Sequence, residues 1–255
     1  MTRIIISGCE GKMGRVLASC ALEREDCEVA AGIDVNPGEQ DAFPVFRSPL
    51  EFDGKADVLI DFSNPSLLPA LLEFGRKTHT PLVLCTTGYD KAQVDALKKA
   101  AEEIPVFYSG TMSIGVNLLI ELSKKAAQVL GRSFDVEIVE MHHNQKIDAP
   151  SGTALMIADG VSQAEERNMH YVYDRHSQRK KRSPDEIGIH SIRGGSIVGE
   201  HEVIFAGSGE VVRISHSAQS KEIFAAGALN AAVFLACKHA GLYNMSDLIN
   251  QEGSI

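Results

Sequence analysis

Through the first 110 residues, short aliphatic runs alternate with stretches whose apolar positions recur every three or four residues. That alternation predicts βαβ units on a parallel sheet. The runs are "RIIIS", "EVAAGID", "ADVLIDFS", "PLVLCTT" and "PVFYS". Met13, Val16, Leu17 and Cys20 fall at helical spacing, and Asn64-Pro65 and Asp90 supply starts for helices over 66–77 and 91–103. A long helix is expected over 115–130, closed by Gly131 as a left-handed cap. Beyond it, "FDVEIVEM", "IGIHSIRG", "GEHEVIFAG" and "EVVRISHSA" run as strands with no helix between the last three, and Gly207-Ser208-Gly209 reads as a hairpin tip. The fold class expected is α/β: a Rossmann-like dinucleotide-binding domain over 1–112, and a second α+β domain over 113–220 on a mixed or antiparallel sheet. The apolar segment "KEIFAAGALNAAVFLACKHAG" predicts a helix returning to the first domain, so that 221–255 completes it. The polar stretch 168–186 reads as a mobile loop, and no internal repeat is evident.

Composition narrows the function classes. With 44% apolar residues among 255, the chain can bury a core in each of two domains. A net charge of -9, from 25 Lys+Arg against 34 Asp+Glu, argues against a nucleic-acid groove. The one basic run, Arg179, Lys180, Lys181 and Arg182, reads as a solvated loop. Five cysteines without a CxxC pair point to reduced thiols and a cytoplasmic setting. The opening "MTRIIISGCEG" has too short an apolar run for a signal peptide, and no membrane association is expected.

Chemistry enters at two places. In "ISGCEGKMG", Gly8, Gly11 and Gly14 pass from the first strand into the first helix, where glycines permit a tight turn and let backbone N–H groups approach a pyrophosphate. The spacing is GxxGxxG. Asp34 ends the next strand, twenty residues after Gly14, where a carboxylate accepts from an adenosine ribose and repels a 2'-phosphate. No arginine stands among Val35, Asn36 and Pro37, so NADH is the preferred cofactor, with NADPH second. Asp61-Phe62-Ser63 and Thr86-Thr87-Gly88 end later strands at the sheet edge where ligands of open α/β folds bind.

The second place is "HHNQKIDAPSGT". His142 and His143 leave a strand, Lys146 follows, and Pro150 keeps the segment a loop. Ser151 is an N-cap candidate, and the N–H groups of Gly152 and Thr153 are left free at a helix start. This is a pocket for a small anion with a proton source beside it. A metal site from His142, His143, Asp148 and Glu140 is disfavoured, because adjacent histidines at a strand end point apart and no HExxH or CxxC spacing occurs. No metal is expected.

The stretch "EMHHNQKIDAPSGTA" resembles the signature of the 4-hydroxy-tetrahydrodipicolinate (dihydrodipicolinate) reductase family, and "GCEGKMGR", "DFSNP", "TTG", "SIGVN" and "GGSIVGEHEVIF" are similar to its other motifs. The resemblance implies NAD(P)H-dependent reduction of a cyclic dicarboxylate with loss of water, in lysine and diaminopimelate synthesis. It implies His142 as proton donor with Lys146 as partner. His143, Lys146, Ser151, Gly152, Thr153 and Lys221 would hold substrate. Glu10, Lys12, Met13, Phe62, Ser63, Cys85, Thr86, Thr87, Ser109 and Met112 join the three loop glycines and Asp34 around the cofactor. A homotetramer built through the second domain is also implied. The chain departs from the family at Cys85, where a glycine is usual, at Thr111 for asparagine, and at Lys221 for an arginine that would grip carboxylate in two places. Two rival readings remain at this level: an amino-acid dehydrogenase of similar build, and a non-catalytic NADH-sensing protein.

Overall fold

The computed structural model describes residues 1–38, 42–165 and 167–252. The chain divides into two compact units, Met1–Ile114 with Lys221–Ile255, and Gly115–Ser220.

The first unit opens with β1 (Thr2–Ser7), α1 (Lys12–Leu22), β2 (Cys27–Ile33), β3 (Val45–Phe46), β4 (Val58–Asp61), α2 (Leu68–Thr78), β5 (Leu82–Leu84), α3 (Lys91–Ala100) and β6 (Pro105–Tyr108). The second holds α4 (Ile114–Leu130), β7 (Asp135–His142), α5 (Gly152–Ala164), β8 (His170–Val172), β9 (Glu186–Arg193), β10 (Gly199–Ala206) and β11 (Val211–Ala218). The chain then returns to the first unit with α6 (Glu222–Leu235), β12 (Gly241–Tyr243) and α7 (Met245–Glu252).

The first sheet has the order β12-β6-β5-β4-β1-β2-β3, and every pairing is parallel. Its central strands β1, β4, β5 and β6 are largely buried on both faces, so they read as continuous aliphatic runs. Ile4, Ile6, Val58, Ile60 and Val83 meet Leu17, Ala21, Ala228 and Leu229 on one side; Ile5, Leu59, Leu82 and Val106 meet Leu71, Leu72 and Leu97 on the other. Each such fully buried Leu or Ile contributes about 1.5–3 kcal/mol. Helix α6 approaches closely because it is built of Ala and Gly: a Cβ on Gly227 would lie 1.7 Å from the Met112 carbonyl oxygen.

Two edge strands, β3 and β12, extend the five expected here to seven. The apolar segment expected as one helix over 221–241 stops at Leu235, and Gly241–Tyr243 pairs with β6 instead.

The second sheet has the order β11-β10-β7-β9-β8. It is mixed, with β7 parallel to β9 and antiparallel to β10. Val136 and Ile138 of β7 face α4 and α5, meeting Leu119, Ala154, Ile157 and Val161. The hairpin tip closes where the Gly207 N–H donates to the Glu210 carbonyl at 2.9 Å.

The stretch read as a mobile, solvated loop is tied down. It contains β8, and Arg182 donates to Asp135 (2.8 Å), Glu137 (3.0 Å) and the Val136 carbonyl (2.9 Å), while Arg175 reaches Glu137 (2.9 Å) and Glu186 (3.0 Å). Gly188 makes room for Glu137, whose Oε2 would sit 1.7 Å from an added Cβ. Ion pairs across 45 positions leave no local pattern, so the basic run gave no hint of this strap.

Candidate functional site

In the first unit the glycine loop is a backbone device. Gly8 leaves β1 at φ +77, a conformation side chains disfavour, and a Cβ there would meet the Phe62 carbonyl oxygen at 2.8 Å. Its N–H donates to Ile33 O at 2.8 Å, and the Gly11 N–H donates back to Gly8 O at 3.0 Å. Gly14 is packed hardest: its missing Cβ would fall 2.1 Å from Gly8 O. Helix α1 starts with Gly11 at its N-cap, so its first N–H groups have no capping side chain, as at helix starts that take an anion. Lys12 is exposed, and Met13 is partly buried against the core.

Asp34 is bound into this loop. Its two carboxylate oxygens accept from the Glu10 N–H (3.1 Å) and the Asn36 N–H (3.0 Å). Glu10 in turn accepts from the Gly38 N–H (3.2 Å) and from Arg15 (3.1 Å). An arginine from outside residues 35–37 reaches this edge: Arg47 donates to the Val35 carbonyl at 3.4 Å. It comes from the end of β3, too short a strand to show in the periodicity.

Asp61, fully buried at the end of β4, gathers the neighbouring loops. Ser63 Oγ donates to it at 2.5 Å, Thr86 Oγ1 at 2.7 Å and Tyr89 OH at 3.5 Å. Burial raises its carboxyl, and the hydrogen bonds from Ser63 and Thr86 pull the other way. The Ser63 and Thr86 hydroxyls are thereby spent on Asp61, while Thr87 stays exposed and Phe62 and Cys85 lie partly buried against the core. Burial pushes the Cys85 thiol well up, which keeps it protonated. Ser109 donates to the Thr111 carbonyl at 3.0 Å, and Met112 is a core residue at 4% exposure. Lys221 is exposed at the N-cap of α6.

In the second unit the histidine loop closes on a buried carboxylate. Glu140 and His142 lie two apart on β7 and so share the face turned to α4 and α5. Register sets His201 of β10 opposite Glu140, and Arg193 of β9 opposite His142. Glu140, with no exposed surface, accepts His142 Nδ1 at 2.6 Å, Arg193 at 2.7 and 2.8 Å, and the Ser151 N–H at 3.1 Å. Burial alone would raise this carboxyl; hydrogen bonds from Arg193, Ser191 and His142 override it and hold it at about 2.

Burial lowers His142 below the ordinary histidine value, the hydrogen bond to Glu140 opposes that, and Lys146 and Arg193 add to the lowering. His201 packs edge-on against it, ring centroids 5.3 Å apart, and is pushed down to about 4 by burial and by His142. Lys146 turns to Asp148 at 2.8 Å, and His143 is half-buried. Glu140 and Asp148, weighed above as metal ligands, are thus engaged by Arg193 and Lys146.

The α5 start matches its sequence signal. Ser151 Oγ accepts from the Ala154 N–H at 3.1 Å and meets His201 Nε2 at 2.9 Å. The Gly152 and Thr153 N–H groups have no partner among the described residues, and nothing lies within 4 Å of the Cβ position of Gly152. The arrangement offers two free donors and a helix dipole to a carboxylate, with an imidazole held on the adjoining strand.

Arg193 and His201 escaped sequence reasoning, since only strand register brings them to His142. The glutamate could have been found from its two-residue spacing to the histidine on a strand.

Comparison with known proteins covers the whole chain. The family profile for the N-terminus of dihydrodipicolinate reductase matches residues 2–112, and that for its C-terminus matches 115–249. A 4-hydroxy-tetrahydrodipicolinate reductase of Caldanaerobacter subterraneus subsp. tengcongensis is 51% identical over 98% of this chain and 99% of its own. One from Clostridium tetani is 46% identical over 98% of each. Among solved structures, a dipicolinate-bound dihydrodipicolinate reductase from Paenisporosarcina sp. TG-14 superposes with a TM-score of 0.78 at 26% identity, over 96% of this chain and 97% of that one.

Proposed function

The chain belongs to the dihydrodipicolinate reductase family, and from that premise we propose that it reduces (2S,4S)-4-hydroxy-2,3,4,5-tetrahydrodipicolinate to tetrahydrodipicolinate with loss of water, in the diaminopimelate route to lysine. The observation that carries this reading is the junction of β7 and α5: a histidine beside two unpartnered N–H groups at a capped helix start. One carboxylate of the substrate is held by the Gly152 and Thr153 N–H groups. Lys146 leaves Asp148 for the dianion, and His143 lines the same loop. His142 gives its proton to the carbon that gains electron density, and Lys146 keeps positive charge beside it. The relative whose structure holds dipicolinate, a flat ring dicarboxylate, supports an acceptor of that class.

The glycine loop fits a dinucleotide, because the space a Gly14 side chain would fill is the contact between α1 and the turn. When bound, the reduced nicotinamide supplies the hydride. Gly8, Gly11 and the first N–H groups of α1 hold its pyrophosphate, and Glu10, Lys12, Met13, Phe62, Ser63, Cys85, Thr86, Thr87, Ser109 and Met112 line the same unit's cofactor side. Asp34 holds the adenosine ribose with the acceptor positions its two backbone bonds leave open, so NADH is preferred; Arg47 allows NADPH as well. Lys221 contributes a cation for the substrate.

Assembly is as a homotetramer. The sheet face turned away from α4 and α5 supports this with half-buried Val139, Met141 and Ile204 and an Ile192 that is 46% exposed. The five free cysteines suit the cytoplasm, and among the described residues no helix is long and apolar enough to cross a membrane.

The test is to follow nicotinamide absorbance with freshly made hydroxytetrahydrodipicolinate and each reduced cofactor. Oxidation is expected with both and faster with NADH. No oxidation with this substrate, together with turnover of an oxo acid plus ammonia, would favour an amino-acid dehydrogenase instead. Within the same assay, Asp34→Ala is expected to raise the NADPH to NADH ratio of kcat/KM, and Arg47→Ala to lower it. An unchanged ratio in both variants would remove these residues from the ribose site.

A further inference from the structure

Because His142 has two ring nitrogens, a proton donor must be held so that the right one meets the substrate. Two separate features of the second unit settle which nitrogen is used. Nδ1 is 2.6 Å from Glu140 Oε2, and that oxygen belongs to a carboxylate already gripped by Arg193 from β9 and by the Ser151 N–H at the α5 start. Nε2 lies beside Gly199, the first residue of β10, where a Cβ would sit 3.1 Å from that nitrogen.

We propose that Glu140 is the positioning residue of the reaction: it accepts a hydrogen bond from the Nδ1–H of His142, leaves Nε2 as the atom that delivers a proton to the substrate, and ties that ring to the α5 start where a substrate carboxylate binds. The proposal rests on the reading of His142 as proton donor and adds how the ring is set.

One carboxylate does this for both halves of the chemistry. An ionised carboxylate only accepts, so it fixes the partner nitrogen as N–H in both charge states of the ring. Glutamine in its place has a single acceptor oxygen and an NH2 that would confront either Arg193 or the Nδ1 proton. The neutral ring then carries its hydrogen on Nε2 or turns away, and the negative charge that favours imidazolium is lost.

The groups acting on His142 are Glu140 on its own strand, Lys146 in the loop, Arg193 on β9 and His201 on β10; Asp148 pairs with Lys146, and His216 on β11 lies opposite His201. Among them only Glu140 hydrogen-bonds the ring of His142 and favours its charged form. The protonated form is the active one, so turnover is lost as pH rises through the His142 value in the complex. Removing the Glu140 charge lowers that value, which moves the alkaline limb of kcat to lower pH.

The first measurement uses the unaltered protein. Nitrogen-15 NMR of histidine-labelled enzyme above the His142 transition should show Nδ1 protonated and Nε2 bare; the opposite tautomer overturns the proposal. Glu140→Gln should lower kcat about 10-fold or more, shift its alkaline limb to lower pH and leave the NADH Kd in place. A kcat–pH profile that superimposes on the wild type overturns it. Gly199→Ala crowds Nε2 without touching Glu140, and should lower kcat with the tautomer unchanged; wild-type kcat there removes Nε2 as the delivering atom. Full turnover in His142→Gln would instead defeat the proton-donor reading itself, whatever the tautomer.

Discussion

Replacing His142 by glutamine is expected to cut kcat by about 10²- to 10⁴-fold while NADH binds as before. The range is what a positioned general acid supplies, equivalent to about 3–5 kcal/mol of transition-state stabilisation. Glutamine is polar and close in reach, but it has no proton to give near neutral pH. The fold should hold, because Glu140 keeps Arg193 and the Ser151 N–H as partners when the ring is gone. Nucleotide affinity should hold because the glycine loop and Asp34 belong to the other compact unit.

The pH profile gives a second signature. Burial holds the free His142 below the ordinary value, and a bound dianion would favour the imidazolium and raise it. In the wild type, kcat is expected to fall as pH rises through that bound-state value; in His142→Gln this limb should vanish. Equal loss of kcat and of NADH affinity would contradict the assigned role.

The second large effect is expected from Gly14→Ala, the smallest possible addition. The new methyl group would lie 2.1 Å from Gly8 O and 2.6 Å from Cys9 Cα. Both are backbone atoms, so no side chain can swing aside. Either α1 moves off the turn or the turn opens, and in both cases the N–H groups that would hold a pyrophosphate lose their aim. Overpacking of this kind costs about 1–3 kcal/mol, which for a chain of this size lowers Tm by about 2–12 °C. The NADH Kd should rise at least 10-fold, measured by quenching or calorimetry. Gly194→Ala is the control, since nothing lies within 4 Å of its Cβ position and both Tm and Kd should stay put. A Gly14→Ala protein that binds NADH normally would remove the loop from the cofactor site.

How far the sequence carries depends on the range of each interaction. The β1–α1 loop, the Ser151 cap and the hairpin tip were legible because each is written in residues a few positions apart. Strands of two and three residues, β3 and β12, show no periodicity, and they escaped notice together with Arg47. The strap made by Arg175 and Arg182 looked like a solvated charge run because its partners on β7 lie 38 to 47 residues away. At the candidate site the donors of the α5 start and His142 could be read locally. The carboxylate, arginine and second histidine around that ring meet only through the register of three strands. Glu140 stands two residues from His142, but its partner Arg193 lies 53 positions away, so the sequence offered the glutamate only a disfavoured role as a metal ligand.

A crystal of the protein with pyridine-2,6-dicarboxylate and NADH addresses the seating of the substrate directly. The ligand should place one carboxylate within about 3.2 Å of the Gly152 and Thr153 nitrogens, with Nε2 of His142 facing the ring. A carboxylate held elsewhere, with those two N–H groups still bound only by solvent, would contradict the account.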